Sequence, residues 1–157
     1  MAVQTAHQIA VRPLDKQDRR LLAEMYDTFE PLSEALGLPP TAPSRREAWL
    51  KTLEGSLNLV AFVDDNLAGH LALLEIDEDS AELMCFVHQD FRRQGIATTL
   101  ARAARQHAKE AGFRRISVFI NSHNLGARHG LLKFGFEPVW EDLEEAEYVY
   151  WIWGREA

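Results

Sequence analysis

Residues 82–100, ELMCFVHQDFRRQGIATTL, decide the fold of this chain. The first seven alternate in character and predict a strand, while the alanines at positions 101, 103, 104, 108 and 111 favour a helix that Gly112 is suited to end. A helix N-terminus leaves backbone N–H groups without partners and carries partial positive charge, so the turn between the two elements suits a phosphate. Gly95 and Ala97 bear little or no side chain, which would let phosphates approach the main chain.

Two motifs in the chain resemble those of a known superfamily. The RxxGxA motif at residues 92–97, preceded by Phe86-Val87-His88, resembles the coenzyme A pyrophosphate loop of the GNAT superfamily of acyl-CoA-dependent N-acyltransferases. The family pattern is Gln or Arg, two residues, Gly, one residue, then Gly or Ala. Further along, NxxA at residues 124–127 and KFGF at residues 133–136 are similar to the family's later Asn…Lys-x-Gly-Phe segment.

Length and composition are those of one domain, residues 1–157, in which 46% hydrophobic residues are enough for a core. The net charge of −7 argues against a nucleic-acid partner. A single cysteine excludes an intramolecular disulfide and is consistent with a reducing compartment. Residues 1–8 lack the pattern of a signal peptide, and no apolar run approaches the roughly 20 residues of a membrane span. We therefore expect a cytoplasmic protein with no membrane partner.

Apolar periodicity and turn residues predict eleven elements in the order β-α-α-β-β-β-α-β-α-β-β. The resemblance implies that this is the GNAT fold, an α/β (α+β) fold whose mixed, mostly antiparallel sheet of about seven strands has helices on both faces. Asp15 and Ser44 are suited to cap the first two helices. The predicted apolar positions are Leu21, Leu22, Met25 and Phe29 in the first helix, Trp49, Leu50 and Leu53 in the second, and Leu125, Leu131 and Leu132 in the last.

The patch Leu36-Gly37-Leu38-Pro39-Pro40-Thr41-Ala42-Pro43 separates the first two helices. Two adjacent prolines cannot lie inside a helix, so one interpretation is a plain connecting loop. The other is that this loop borders an acceptor cleft, as the corresponding region often does in the GNAT superfamily. The residues leave both interpretations open.

The resemblance also implies a cosubstrate, acetyl-CoA, and no metal. Main-chain N–H groups of residues 93–98 would bind the pyrophosphate, and residues 85–87 would hold the pantetheine arm where two strands separate. Asn124 matches the cofactor-contacting asparagine, with a plain helix cap as the alternative. The predicted cofactor-binding residues are Cys85, Phe86, Val87, Arg92, Arg93, Gln94, Gly95, Ile96, Ala97, Thr98 and Asn124.

Proton transfer is where the sequence departs from the family pattern. Leu131 stands where many members place a Tyr general acid, and Phe119 stands where many members that acetylate protein N-termini place a Glu base. Glu82 is the best replacement base, although a solvated glutamate at a strand end is the alternative. Tyr148 is a weaker candidate acid, and core packing is its alternative role. The remaining candidates are Tyr150, the imidazoles of His88, His123 and His129, among which spacing singles out none, and Cys85, for which a buried thiol is favoured over a nucleophile.

The sequence and the resemblance together predict an N-acetyltransferase that moves an acetyl group from acetyl-CoA to a primary amine by direct attack on the thioester. The acceptor is an amine of a small molecule or of a protein, and acidic residues at 75–82 and 137–147 either keep turns solvated or attract such a cation. The missing Tyr and Glu suggest an alternative, a catalytically weak acyl-CoA-binding or regulatory module. The terminal aromatic run 148–153 is either core or, on one face, a homodimer interface.

Overall fold

The predicted order of strands and helices is confirmed by a computed structural model, which describes residues 8–33 and 38–154. Residues 1–7 and the Leu36-Gly37 part of the proline-containing patch lie outside these ranges. The strands are β1 (Ile9–Pro13), β2 (Leu57–Val63), β3 (Asn66–Glu75), β4 (Ser80–Val87), β5 (Arg115–Asn121), β6 (Glu137–Glu141) and β7 (Glu145–Trp151). The helices are α1 (Arg19–Asp27), α2 (Pro43–Thr52), α3 (Ile96–Glu110) and α4 (Leu125–Phe134). Short 3-10 turns, Lys16–Asp18 and Gln89–Phe91, precede α1 and follow β4.

The seven strands form one sheet in the order β1-β2-β3-β4-β5-β7-β6. Every neighbouring pair is antiparallel except β4 and β5, which are parallel. Parallel neighbours need a long crossover connection, and α3 supplies it. The strand–helix stretch that opens the sequence analysis is therefore also the place where the sheet changes from antiparallel to parallel pairing.

The pairing of β4 with β5 ends after three residue pairs. The register joins Ser80 to Arg115, Ala81 to Ile116 and Glu82 to Ser117. Beyond these pairs β4 continues to Val87 beside β3, while β5 continues to Asn121 beside β7. The facing edges of β4 and β5 thus have backbone N–H and C=O groups that the sheet does not pair, and such groups need another partner or water.

Helices cover both faces of the sheet. On one face α3 packs against β1, β2, β3 and β4, and α4 also packs against this core. The buried residues of α3 follow at spacings of four, and the packing residues of these helices are Ile96, Leu100, Ala104 and Ala108 from α3, with Ala127, Leu131 and Phe134 from α4. On the other face α1 and α2 cover a smaller core formed by Leu22, Met25, Tyr26, Phe29, Val60, Leu67 and Phe86. In the described part of the chain, no helix is long and apolar enough to cross a lipid bilayer.

Helix capping differs from the prediction at α2. The N-cap is Ala42, without a side-chain hydrogen bond, and Pro43 is the first helical residue, so the prediction of Ser44 as the cap was wrong. Proline favours this position because its fixed φ is helical and the N–H that it lacks has no helical partner there. Asp15 does cap, but its partner is the 3-10 turn that leads into α1, where Asp18 completes a capping box.

Three predicted core leucines are exposed. Leu21 is 39% exposed and Tyr26 takes the buried place on α1 instead. In α4, Leu125 and Leu132 are 69% and 49% exposed, while Leu131 packs against the core. The reason is geometric, since Ala127, Leu131 and Phe134 follow one another at spacings of four and three and form the buried stripe.

Candidate active site

A cleft of about 690 Å³ opens where β4 and β5 separate. Its two long walls are the free parts of these strands, and the first turn of α3 and one side of α4 close it on the face that these helices cover. The segment after α1 forms the opposite rim. The lining residues include Leu83 to Val87 of β4, Val118 to Asn121 of β5, Ala97, Thr98 and Ala101 of α3, Ala127, Gly130, Leu131 and Phe134 of α4, and Phe29, Pro31 and Leu38.

The N-terminus of α3 lies at this cleft with its backbone donors free of any side-chain cap among the described residues. The N-cap is Gly95, whose φ of +82° is in the left-handed region that favours glycine. A Cβ placed on Gly95 would meet no atom within 4 Å, so the space above it is open. Uncapped N–H groups, a helix dipole and open space together form a site suited to an anion such as a diphosphate.

Arg92, predicted to bind cofactor, is held by the wall of the cleft. Its Nε donates to the Val87 carbonyl at 3.0 Å, and its guanidinium also donates to the Glu30 carbonyl. The guanidinium carbon lies 5.3 Å from the centre of the Phe29 ring, a cation–π contact. The side chain therefore joins the end of β4 to the segment after α1, and the anion site at α3 rests on main-chain N–H groups.

Asn124 lies at the cleft and is also the N-cap of α4. Its Oδ1 accepts a hydrogen bond from the Ala127 N–H at 3.2 Å, which satisfies one of the donors at the helix start. The helix-cap interpretation is thus confirmed for the carboxamide oxygen. The contact between Asn124 and a cofactor stays a prediction.

Cys85 lines the cleft from β4, where burial raises the pKa of its thiol to about 12. A group with that pKa is a neutral thiol near pH 7, and the thiolate is the nucleophilic form of cysteine. The structure therefore favours a neutral thiol over a nucleophile: Cys85 is half-buried and contributes a small apolar surface to the cleft.

Glu82 lies at the closed end of the cleft, in the last pair of β4 with β5, and is not among the residues that line the cavity. The side chain is half-buried, and this burial raises the pKa of its carboxyl group. A raised pKa suits a general base, but four residues of extended strand, roughly 13 Å, separate Glu82 from Phe86. The catalytic role of Glu82 stays a prediction.

The two tyrosine candidates lie on the face covered by α3 and α4. Tyr148 is 1% exposed, pairs across β5 with Val118, and belongs to the core without lining the cleft. The Tyr150 hydroxyl accepts from Arg105 at 3.3 Å, and the ring packs on Phe134 and Phe136. Both tyrosines are therefore packing residues, which for Tyr148 is the alternative role predicted from the sequence.

The three histidine candidates are separated by the fold. His88 is buried, and because its Nδ1 accepts from the Asp90 N–H at 3.2 Å, its Nε2 is the donor to Thr28 Oγ1 at 2.9 Å. His129 is exposed on α4 and does not line the cleft. His123, in the turn before α4, lines it. Spacing could not separate these three, because only the arrangement of β5 and α4 brings one of them to the cleft.

Sequence reasoning missed one buried histidine, His70 of β3, which is 1% exposed. The side chain bridges Tyr26 and Asn58 through its two ring nitrogens. The signal that could have placed it in the core is the continuous apolar run on both sides of it, which is typical of a strand buried on both faces.

Comparisons with known proteins agree with this architecture. The model of the Acetyltransferase (GNAT) family matches residues 22–136, which is well over half of the chain. The protein is therefore a member of the GNAT family of acetyltransferases, and its class is that of the acyl-CoA-dependent acyltransferases. No curated protein sequence matches it significantly.

Solved structures share the fold at low sequence identity. An N-acetyltransferase from Staphylococcus aureus Mu50 is 18% identical, with a TM-score of 0.77 over 92% of this chain and 99% of that one. A putative acetyltransferase from Salmonella typhimurium, solved with its cofactor acetyl-CoA, is 16% identical. Its TM-score is 0.75, and the match covers 92% of this chain and 94% of that one. A ribosomal-protein-alanine N-acetyltransferase from Brucella melitensis is 18% identical. Its TM-score is 0.72, and the match covers 90% of this chain and 99% of that one.

Proposed function

We propose that this protein is an N-acetyltransferase that transfers the acetyl group of acetyl-CoA to a primary amine of a small molecule or a protein. One observation carries the proposal: the β4–β5 cleft has an uncapped helix N-terminus at one end and unpaired strand edges along its walls. Membership of the GNAT family and the acetyl-CoA in the Salmonella structure support the choice of donor.

The strand edges suit the pantetheine arm for a simple reason. Pantetheine contains two amide groups, and an extended amide chain can pair with an open strand edge as an added strand does. The free edge of β4 between Leu83 and Val87 offers such a partner. Main-chain N–H groups of residues 93–98 take the diphosphate in this arrangement, with Gly95 leaving room for it.

The reaction needs few protein groups. The amine nitrogen forms a bond to the thioester carbon, the carbon–sulfur bond breaks, and the nitrogen loses a proton. A backbone N–H of β4 directed at the thioester oxygen would stabilise the negative charge that develops there. A thiolate is a tolerable leaving group because the pKa of a thiol is about 8.5. Holding the amine and the thioester in one cleft can lower the barrier by about 7 kcal/mol.

Two glycine variants test the donor site. Gly95 and Gly112 lie at opposite ends of α3 with φ values of +82° and +86°, and neither Cβ would meet an atom within 4 Å. Gly95→Ala and Gly112→Ala should therefore cost similar stability, about 1 kcal/mol. Only Gly95→Ala places a methyl group in the anion site, so we expect CoA affinity to fall about tenfold in that variant alone, as measured by calorimetric titration.

Thiol release then separates the enzyme from the binding module. Wild-type protein is incubated with acetyl-CoA and, in turn, a peptide with a free α-amine, a lysine-containing peptide, a polyamine and an amino sugar. Amine-dependent release of free thiol supports the proposal. CoA binding without release by any of these amines would favour the catalytically weak module, and equal CoA affinity in both glycine variants would reject the donor site.

A further inference from the structure

The cleft contains few groups that can carry a proton. Among the described residues that line it, three have ionisable side chains: Cys85, Arg92 and His123. Burial raises the pKa of the Cys85 thiol to about 12, so this group keeps its proton. The Arg92 guanidinium is a permanent cation that donates to the Val87 and Glu30 carbonyls. Only His123 belongs to the side-chain type that ordinarily gains and loses a proton near neutral pH.

The backbone holds His123 in place on both sides. Its N–H donates to Asn121 Oδ1 at 2.9 Å, and its carbonyl accepts from the Leu125 N–H at 2.9 Å. The next residue, Asn124, donates from its N–H to the Asn121 carbonyl at 3.0 Å. These bonds fix the turn between β5 and α4, from which His123 reaches the cleft.

The ring of His123 is free within the described residues. It makes no hydrogen bond and no ion pair there, and the residue is exposed, so that a proton can pass to solvent. The other imidazole near this end of the cleft, His88, has both ring nitrogens engaged, one with Asp90 and one with Thr28. A free ring nitrogen is what proton transfer requires.

We propose that His123 is a catalytic residue that accepts the proton lost by the attacking amine, an assignment that rests on the proposed function. The nitrogen lone pair forms the bond to the thioester carbon, and an N–H proton passes to the unprotonated ring nitrogen of His123. The carbon–sulfur bond breaks with its electron pair on sulfur, and the imidazolium then gives its proton to the thiolate or to solvent. Amine and thioester become amide and thiol, with all atoms and charges balanced.

The test uses the full chain and acetyl-CoA, with the amine from the panel above that releases most thiol. His123→Gln and His123→Ala are compared with His129→Gln, a control on the exposed side of α4. We expect kcat of both His123 variants to fall about 100-fold, while CoA affinity and Tm stay close to those of the wild type. The ascending limb of the pH profile of kcat should disappear in His123→Gln, and free imidazole should raise the rate of His123→Ala.

Each result decides the assignment. The assignment of His123 is supported if His123→Gln loses the ascending limb of the pH profile of kcat and imidazole rescues His123→Ala, because a purely structural role would produce neither result. A wild-type pH profile in His123→Gln, or no rescue of His123→Ala, would overturn the assignment while leaving the acetyltransferase proposal in place. Wild-type protein that releases no thiol with any amine would instead overturn the proposed function, and this assignment with it.

Discussion

Gln89 joins the end of β4 to the segment after α1 by donating from its side-chain Nε2 to the Thr28 carbonyl at 2.6 Å. The same amide accepts at Oε1 from the Glu30 N–H at 2.9 Å. Phe29, between these two residues, is part of the cleft wall. Gln89 and Arg92, which also bonds Glu30, therefore both set the position of that wall relative to the loop that leads to the anion site.

Replacing Gln89 by Met should loosen this wall. Methionine has a similar length but makes neither hydrogen bond, and each lost bond is worth about 1 kcal/mol. We expect the Glu30 amide to exchange its hydrogen about fivefold faster, as measured by hydrogen exchange. Gln17→Met is the matched control, since the Gln17 side chain is exposed and makes no hydrogen bond within the described residues. Unchanged exchange at Glu30 would show that other contacts hold the wall.

The buried histidine of β3 has a defined tautomer. Asn58 Nδ2 donates to the Leu53 and Ser56 carbonyls at 2.8 and 3.1 Å, so Asn58 Oδ1 is an acceptor. His70 Nε2 must then donate to it, at 2.9 Å. The remaining nitrogen, Nδ1, accepts from the Tyr26 hydroxyl at 2.6 Å.

Removing the Tyr26 hydroxyl should be costly. Tyr26→Phe leaves His70 Nδ1 buried without a donor, which is expected to lower the free energy of unfolding by about 1–3 kcal/mol. Tyr150→Phe is the control, because the Tyr150 hydroxyl is only partly buried and its loss should cost about 0.5 kcal/mol. Urea unfolding measures both values. Equal losses in the two variants would contradict the importance of the buried pair.

The same histidine should make stability depend on pH. Burial lowers the pKa of His70 to about 4, below the value of 6.5 in an unfolded chain. Between these values the unfolded chain binds a proton that the folded protein excludes, so the free energy of unfolding falls as pH falls, by up to about 1.4 kcal/mol per pH unit. Unfolding curves between pH 7 and pH 4 measure this slope. His123→Gln should keep it and His70→Gln should lose it; a slope that survives in His70→Gln would assign it to other groups.

Replacing Glu82 by Gln should change the stability of the protein in a pH-dependent way. At neutral pH the half-buried carboxylate has no ion pair or hydrogen bond among the described residues, and burial raises its pKa. A neutral amide avoids this desolvation cost, so the variant should be more stable than the wild type at neutral pH, and the difference should shrink as pH falls and Glu82 takes up its proton.

The rate of thiol release by Glu82→Gln tests whether Glu82 or His123 is the catalytic base. If His123 is the base, thiol release by Glu82→Gln stays within about twofold of the wild-type rate, whereas a catalytic group typically contributes about 100-fold. Glu75→Gln, at an exposed position on β3, is the control for both measurements. A large loss of rate in Glu82→Gln alone would return the role of base to Glu82.

Local signals predicted most elements correctly because they depend on neighbours in the chain. Alternation predicted β4, and glycine at position 95 with the following alanines predicted α3. The errors came where two local rules competed. Ser44 is a good cap by residue type, yet Pro43 is a better first helical residue, and the helix begins two residues earlier than a Ser44 cap would place it. Leu125 is apolar but lies off the stripe that packs on the sheet.

The sequence by itself determined the order of elements and the strand–glycine–helix junction around Gly95, because periodicity and backbone conformation are properties of consecutive residues. Only the tertiary structure decided where the pairing of β4 with β5 stops, and that His123 reaches the resulting cleft while Glu82 and Tyr148 do not line it. The last pair of β4 with β5, at which the cleft begins, joins Glu82 to Ser117, 35 positions further along the chain. These relationships depend on which strands become neighbours in the sheet, and no short stretch of sequence contains that information.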